Sequence, residues 1–275
     1  MAKPIPVIMA EKVFLPSAFE LTDLDKARAV QAEVRAKHGF AREPADLLTW
    51  QEAQPKFSKT PWPMLGLSLL PNTMFDEGVN LCPNATPDCI KFCLNEAGRG
   101  GMNEAQRARA WRTDLFLWNP REFYTLMWHQ LERAERVYGE GFLFRPNVYS
   151  DVKWESLLPD EWWERFAHVR VMDYTKRWRR PEFPRPNYRL AYSAAAHTKF
   201  DQFKTRLASG ANVAVVFDHP KDVPFPSLWK EFPLVDGDEH DNLWERPKGV
   251  ILGLRAKGKL KKANSPFKRK LSPDA

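Results

Sequence analysis

The chain of 275 residues has only three cysteines and no run of the ~18 to 20 uncharged apolar residues that a membrane-spanning helix needs. Its start, with the apolar stretch Pro4-Ile-Pro-Val-Ile-Met-Ala10, is too short for a secretory signal. These absences exclude a spanning helix and argue against a disulfide framework, so the expected compartment is the cytoplasm and no membrane partner is expected. Hydrophobic and charged residues are not scarce, at 43% and 28%, which excludes wholesale disorder. The length suits one large domain or two small ones.

A charge excess is also lacking over most of the chain. The 42 basic and 35 acidic residues give a formal +7. Residues 255–275 hold eight bases (Arg255, Lys257, Lys259, Lys261, Lys262, Lys268, Arg269 and Lys270) against the single acid Asp274, leaving 34 of each sign in the other 254 residues. The basicity is therefore local. Such a segment favours a polyanion such as DNA, and its plainer reading is a solvated, solubilising terminus. Three units follow: an N-terminal helical extension over 1–60, an α/β domain over 61–258, and a basic tail over 259–275.

Periodicity and punctuation predict a helix over about 21–38, with Thr22 or Asp23 as cap and Gly39 as stop. A buried strand is expected at 65–70. Long helices are expected at 103–116 and 120–138, the second ending at Gly139. Short strands follow at 142–149, 168–172, 188–192, 212–217 and 250–254, with helices fitting at 154–166 and 198–209. This alternation predicts an α/β fold, a partial or complete βα barrel with a parallel sheet. Each strand ends in polar residues: Ser150-Asp151, Asp173 to Lys176, Ser193, Asp218-His219. In parallel sheets chemistry gathers at those ends, so a rim binding ribose hydroxyls, a substrate amino group or a base edge is expected, with Asp173 and Lys176 as the strongest catalytic candidates. Helix caps and strand-end turns are the plainer reading.

The three cysteines, Cys82, Cys89 and Cys93, lie in Asn80-Leu-Cys-Pro-Asn-Ala-Thr-Pro-Asp-Cys-Ile-Lys-Phe-Cys93, a C-x6-C-x3-C spacing. Three thiolates on one loop hold three corners of a [4Fe–4S] cube and leave one iron for an exogenous ligand, with Phe92 as a shield. Zinc with a fourth ligand from elsewhere is an alternative, although no histidine lies within thirty residues of the loop. Three unligated buried thiols are a third.

The runs Leu67-Ser-Leu-Leu-Pro-Asn-Thr73, Asn80 to Ala85, Leu94-Asn-Glu-Ala-Gly-Arg-Gly-Gly-Met102 with Arg107, Arg109 and Arg112-Thr113, Asp173-Tyr-Thr-Lys-Arg177, Asp236-Gly-Asp-Glu-His-Asp241 and Gly253-Leu-Arg-Ala-Lys-Gly258 resemble the phage family named after gene product eighty-eight. Members with this cysteine loop resemble radical S-adenosyl-L-methionine enzymes and fit phage pathways of thymidine hypermodification. The loop differs from the common radical spacing, C-x3-C-x2-C, in both gaps. The resemblance implies a bacteriophage origin, an isomerase-type rearrangement on a modified thymidine in DNA, a [4Fe–4S] cluster on Cys82, Cys89 and Cys93, and an electron donor to reduce it. In that reading Gly98, Arg99, Gly100 and Gly101 approach the methionyl carboxylate, with Ser150 and Asp151 also at the cofactor. A plain loop-to-helix turn is the alternative for the glycines.

Two further functions stay open: a zinc-stabilised DNA-binding protein without catalysis, and a metal-dependent nuclease using Asp236 to Asp241. For the acidic run a turn whose aspartates bond their own backbone is the plainer reading. The eleven tryptophans read mostly as core, although Trp178 among Arg177, Arg179 and Arg180 could stack on an unpaired base.

Overall fold

In the computed structural model residues 8–9, 19–53, 57–60 and 62–271 are described. Their elements are β1 (Ile8–Met9), α1 (Leu24–Lys37), β2 (Met64–Gly66), β3 (Val79–Asn80), α2 (Pro87–Lys91), α3 (Asn103–Trp118), α4 (Pro120–Tyr138), β4 (Leu143–Arg145), α5 (Trp154–Leu157) and α6 (Asp160–Arg165). After them come β5 (Arg170–Thr175), β6 (Tyr188–Ser193), α7 (Phe200–Ala208), β7 (Asn212–Phe217), β8 (Leu228–Trp229), β9 (Phe232–Asp236) and β10 (Ile251–Arg255). The Asp23 side chain accepts from the N–H of Lys26 and so caps α1, and Gly39 follows the helix with φ +73°. Gly139 ends α4 in the same left-handed region, φ +68°. The single helix expected over 154–166 is two, because Pro159 stops α5 and precedes the first residue of α6.

Eight strands form one sheet in the order β2-β4-β5-β6-β7-β10-β9-β8. Every neighbouring pair is parallel except the hairpin β8–β9. From β2 to β7 and then β10 the strands stand in chain order, so each crossover steps the same way along the sheet. That serial order brings the ends of six strands together on one rim. The sheet is open, with β2 and β8 at its two edges, and a complete barrel is not formed. The segment after β7 folds as a hairpin on the far edge instead of as further βα units. Its two-residue turn places Lys230 at φ +55°, where Asn or Gly is usual, so the sequence carries no hairpin signal there.

Side chains alternate across the sheet. One face, with Phe144, Val171, Tyr188 and Leu190, packs on helix residues including Trp111, Phe116, Trp154 and Trp162, and Val213, Val215 and Ile251 continue it against Phe203 and Leu207 of α7. The other face carries Met64, Leu143, Met172, Ala191, Ala214 and Leu252. Two residues further along each strand, at period two, that face presents Arg145, Tyr174, Ser193, Val216 and Leu254. Small residues at Ala191, Ser193 and Ala214 leave open space there.

The basic C-terminal segment is not a free tail over 259–271. Phe217 and Arg269 form a β-bridge, with the Arg269 N–H on the Val216 carbonyl at 2.8 Å and the Asp218 N–H on the Arg269 carbonyl at 2.9 Å. The Arg269 guanidinium donates to the carbonyls of Ala195, Ala196 and Thr198, and Lys268 pairs with Asp218 at 3.0 Å. Residues 272–275 of the proposed tail lie outside the described residues, as does most of 1–18. Among the described residues no helix is long and apolar enough to cross a membrane.

Candidate functional site: a three-thiol cavity at the strand ends

The cysteine loop is shaped by its own polar residues. Asn80 Oδ1 accepts from the Cys82 N–H at 2.7 Å, and Thr86 Oγ1 accepts from the Cys89 N–H at 3.2 Å, capping α2 with Pro87 in its first turn. This puts Cys89 inside a short helix and Cys93 just past its end. All three thiols are free and line one cavity of about 250 Å³, and their charges act on one another. Burial pushes the Cys82 thiol up to about 12. Burial also raises Cys89, where Lys176 opposes it, and Cys93, where Arg109 opposes it. The Cys82 Sγ donates to the Tyr149 carbonyl at 3.5 Å.

Facing the thiols is the loop after β4, organised by Asn147. Its Nδ2 donates to Asp173 and to the Val152 carbonyl, while its Oδ1 accepts from Ser150 Oγ at 2.8 Å, the Val152 N–H at 2.9 Å and Trp154 Nε1 at 3.2 Å. The Asp151 N–H donates to the Leu81 carbonyl at 2.8 Å, tying this loop to the cysteine loop. The Asp151 carboxylate accepts from Thr175 Oγ1 at 2.8 Å and the Lys176 N–H at 2.9 Å, with Arg180 at 3.4 Å. Lys176 reaches the cavity with Nζ on the Ala194 carbonyl at 3.1 Å, and burial lowers its ammonium below the usual lysine range, against Cys89 and Asp151. On the floor Arg145 pairs with Asp241 at 2.8 Å and lies over the Tyr174 ring, 5.1 Å from its centroid. The Arg145 Nε is buried without a partner.

Of the residues expected at the site, the structure brings Cys82, Cys89, Cys93, Ser150, Asp151, Lys176 and Ser193 to the cavity wall. Asp173 is placed differently. It is fully buried behind the wall, accepting from the Asn147 N–H, Asn147 Nδ2 and Tyr188 Oη. It therefore positions Asn147 and does not reach the cavity. Burial pushes its carboxyl up to about 7, against those donors and nearby arginines.

Gly98, Arg99, Gly100 and Gly101 form a 3-10 turn outside the cavity lining. The Gly100 carbonyl accepts from Gln106 Nε2 and the buried Arg109, whose guanidinium lies 4.7 Å from the Tyr149 ring centroid. The turn thus backs the residue that faces the thiols. Asp218 pairs with Lys268, and His219 stacks on Phe225. In the acidic run, Asp236 Oδ1 accepts from the Asp238 N–H, the turn expected of its plainer reading. Asp236 then pairs with Arg255 at 2.8 Å and Asp238 with Lys257 at 2.6 Å. Burial works to raise the Asp238 carboxyl, yet Lys257 and Arg255 hold it below the usual range. Trp178 sits on Tyr192 and Phe203, with ring centroids at 5.5 and 6.3 Å.

Tyr174, expected on the rim, does line the cavity, whereas sequence reasoning missed Arg145, Asn147, Asp241 and Phe267 as cavity residues. A strand running to 149 hid the first two, since β4 ends at Arg145 and Asn147 opens a loop. Among the described residues no group of three or more His, Cys, Asp and Glu side chains is arranged to hold a metal ion.

These features define an α/β protein with an open, serially ordered and mostly parallel sheet whose strand ends carry a three-thiol cavity. The chain belongs to the Gene product 88 family, whose model matches residues 35–270, from the end of α1 to the C-terminal segment over the cavity. No curated protein and no solved structure matches it.

Proposed function

We propose that the chain is a radical S-adenosyl-L-methionine enzyme of the isomerase type, acting on a modified thymidine in phage DNA in the host cytoplasm, with Cys82, Cys89 and Cys93 holding a [4Fe–4S] cluster. The carrying observation is that three thiols from one loop line a single cavity at the strand ends while no histidine lines it. The two carboxylates there are already engaged, Asp151 by Arg180, Thr175 and the Lys176 N–H, and Asp241 by Arg145. A closed four-ligand zinc site lacks its fourth member. A cube that leaves one iron for an exogenous ligand needs three thiolates, the number this loop supplies. The serial strand order supports reading the sheet as a partial βα barrel.

When bound, such a cluster supplies reductive cleavage of S-adenosyl-L-methionine, fed by an external electron donor. The chain's own residues do the rest. Lys176 and Arg145 offer cations to a carboxylate in the cavity, and the hydroxyls of Ser150 and Ser193 offer hydrogen bonds to ribose or to the base. Phe92, Val148, Val216, Leu254 and Phe267 form an apolar lining that excludes water and holds the reacting carbon in place.

Anaerobic reconstitution tests the reading. The protein should take up about four irons, absorb broadly near 400 nm, and cleave the cofactor. Alanine at Cys82, Cys89 or Cys93 should abolish this. Stoichiometric zinc without the absorbance, in protein that still binds DNA, would instead favour the zinc-stabilised binding protein. Magnesium-dependent DNA cleavage lost in Asp238→Ala would favour the nuclease.

A further inference from the structure

A second cleft, of about 600 Å³, adjoins the thiol cavity and shares Lys176 and Ser193 with it. This volume lies within the ~300 to 1,000 Å³ of ligand-holding clefts. Its cations come from two separate loops, Lys153 after β4 and Lys176, Arg177, Arg179 and Arg180 after β5, and the His197 ring after β6 lies beside them. Its one carboxylate, Glu155, is engaged by Arg180 at 2.6 and 3.0 Å. Trp178 is half-buried in the same lining, and Arg179 is exposed with no hydrogen-bond or ionic partner among the described residues.

We propose that this cleft binds the sugar–phosphate backbone of a DNA strand, and that the target base passes between Lys176 and Ser193 into the thiol cavity. A free nucleotide concentrates its charge at one point, whereas cations spread over two loops, from Lys153 to Arg179, match phosphates strung along a chain. A base stacked inside a duplex cannot enter the thiol cavity, so the strand is taken up unpaired at the target. The Trp178 edge and the Arg177 and Arg179 guanidiniums flank the route that the neighbouring nucleotides follow. Half of the cations of the basic C-terminal segment are already engaged. Lys259 is paired with Glu96, Lys268 with Asp218, and the Arg269 guanidinium with three carbonyls.

The identity of the reacted base rests on the function proposed above; the backbone site does not. The test is titration of the full-length protein with a labelled single-stranded oligodeoxynucleotide of about 12 residues at several salt concentrations. Arg179→Ala should weaken binding several-fold at low salt and flatten the logarithmic salt slope by about 0.7, the value of one phosphate contact on a single strand. Adding Lys153→Ala should roughly double the loss. Lys261→Ala with Lys262→Ala, on the C-terminal segment, should leave both quantities unchanged, and thymidine 5′-monophosphate should compete far more weakly than the oligonucleotide.

Unchanged binding in the cleft variants, a slope carried by Lys261 and Lys262, or mole-for-mole competition by the mononucleotide would each overturn the proposal. The titration runs on both metal-free and reconstituted protein. Cleft-dependent binding in protein that takes up no iron would leave this inference standing and remove the radical function. A cofactor-cleaving enzyme whose DNA binding ignores Arg179 would do the reverse.

Discussion

Asp173 and Asn147 are joined by two hydrogen bonds, the Asn147 N–H to one carboxylate oxygen at 2.9 Å and Nδ2 to the other at 2.8 Å. Tyr188 Oη donates to the second oxygen at 2.7 Å. All three partners are donors, so an amide at 173 would turn its NH2 toward N–H or O–H groups. Asp173→Asn should cost about 1 to 3 kcal/mol and lower the melting temperature by roughly 3 to 10 °C in a calorimetric scan. Because Asn147 also orients Ser150 and the 147–152 loop against the thiols, iron uptake should fall in parallel. A variant with normal iron uptake and normal melting would show that the pair does not hold the loop.

The thiols give a pH dependence whose sign is fixed by burial. Each folded-state value lies above that of an exposed thiol, so the folded protein keeps protons that the unfolded chain has lost. The metal-free protein should therefore hold its stability below about pH 9 and lose it as the pH climbs further. Cys82→Ala, which removes the thiol pushed up to about 12, should shrink that loss in urea titrations between pH 8 and 11. Alkylation of the native thiols at pH 8 should run more than about tenfold slower than in denatured protein.

What the sequence revealed follows from how local each signal is. The cap at Asp23, the stops at Gly39 and Gly139, and the strands 188–193 and 212–217 are set by residues within one turn or one pleat, and they stand where periodicity put them. The cysteine triplet was legible because its grouping needs no knowledge of the fold. Asp173 was misplaced because strand-end position alone does not say which face a residue takes, and it shares a face with Val171 while Met172 and Tyr174 point to the cavity side. Arg145 meeting Asp241, and Phe267 returning to the cavity, join residues almost a hundred or more positions apart, which no local pattern encodes.

The Arg145–Asp241 pair is buried on the cavity floor, with side chains 9% and 3% exposed. Removing the arginine alone leaves its carboxylate without that counterion, so Arg145→Met should cost about 3 to 5 kcal/mol. The double change Arg145→Met with Asp241→Leu should recover most of that stability, because two apolar side chains can fill the same space without the desolvation penalty. Urea unfolding of the four proteins gives the coupling directly. Additive losses would mean that the two residues act independently.

Deleting residues 259–275 separates a detachable tail from an integral strap. The deletion removes Leu260 and Phe267 from the cavity wall, the Phe217–Arg269 bridge, and the Lys270 carbonyl that accepts from Trp229 Nε1 at 3.1 Å. It should therefore lower the melting temperature and expose the thiols, so that native alkylation approaches the denatured rate. Phe267→Ala is the milder arm. It takes away one ring of the lining and the aromatic face 5.1 Å from Lys176 Nζ while keeping the bridge, and it should speed alkylation with a smaller loss of stability. Neutralising Lys261 and Lys262 removes two of the five net positive charges that the deletion takes away, without touching the wall, so thiol reactivity should match the unmodified protein. If the truncated protein melts normally and keeps its thiols protected, the segment adds only charge; the hydrogen bonds of Arg269 on both sides of Phe217 argue that it closes the cavity instead.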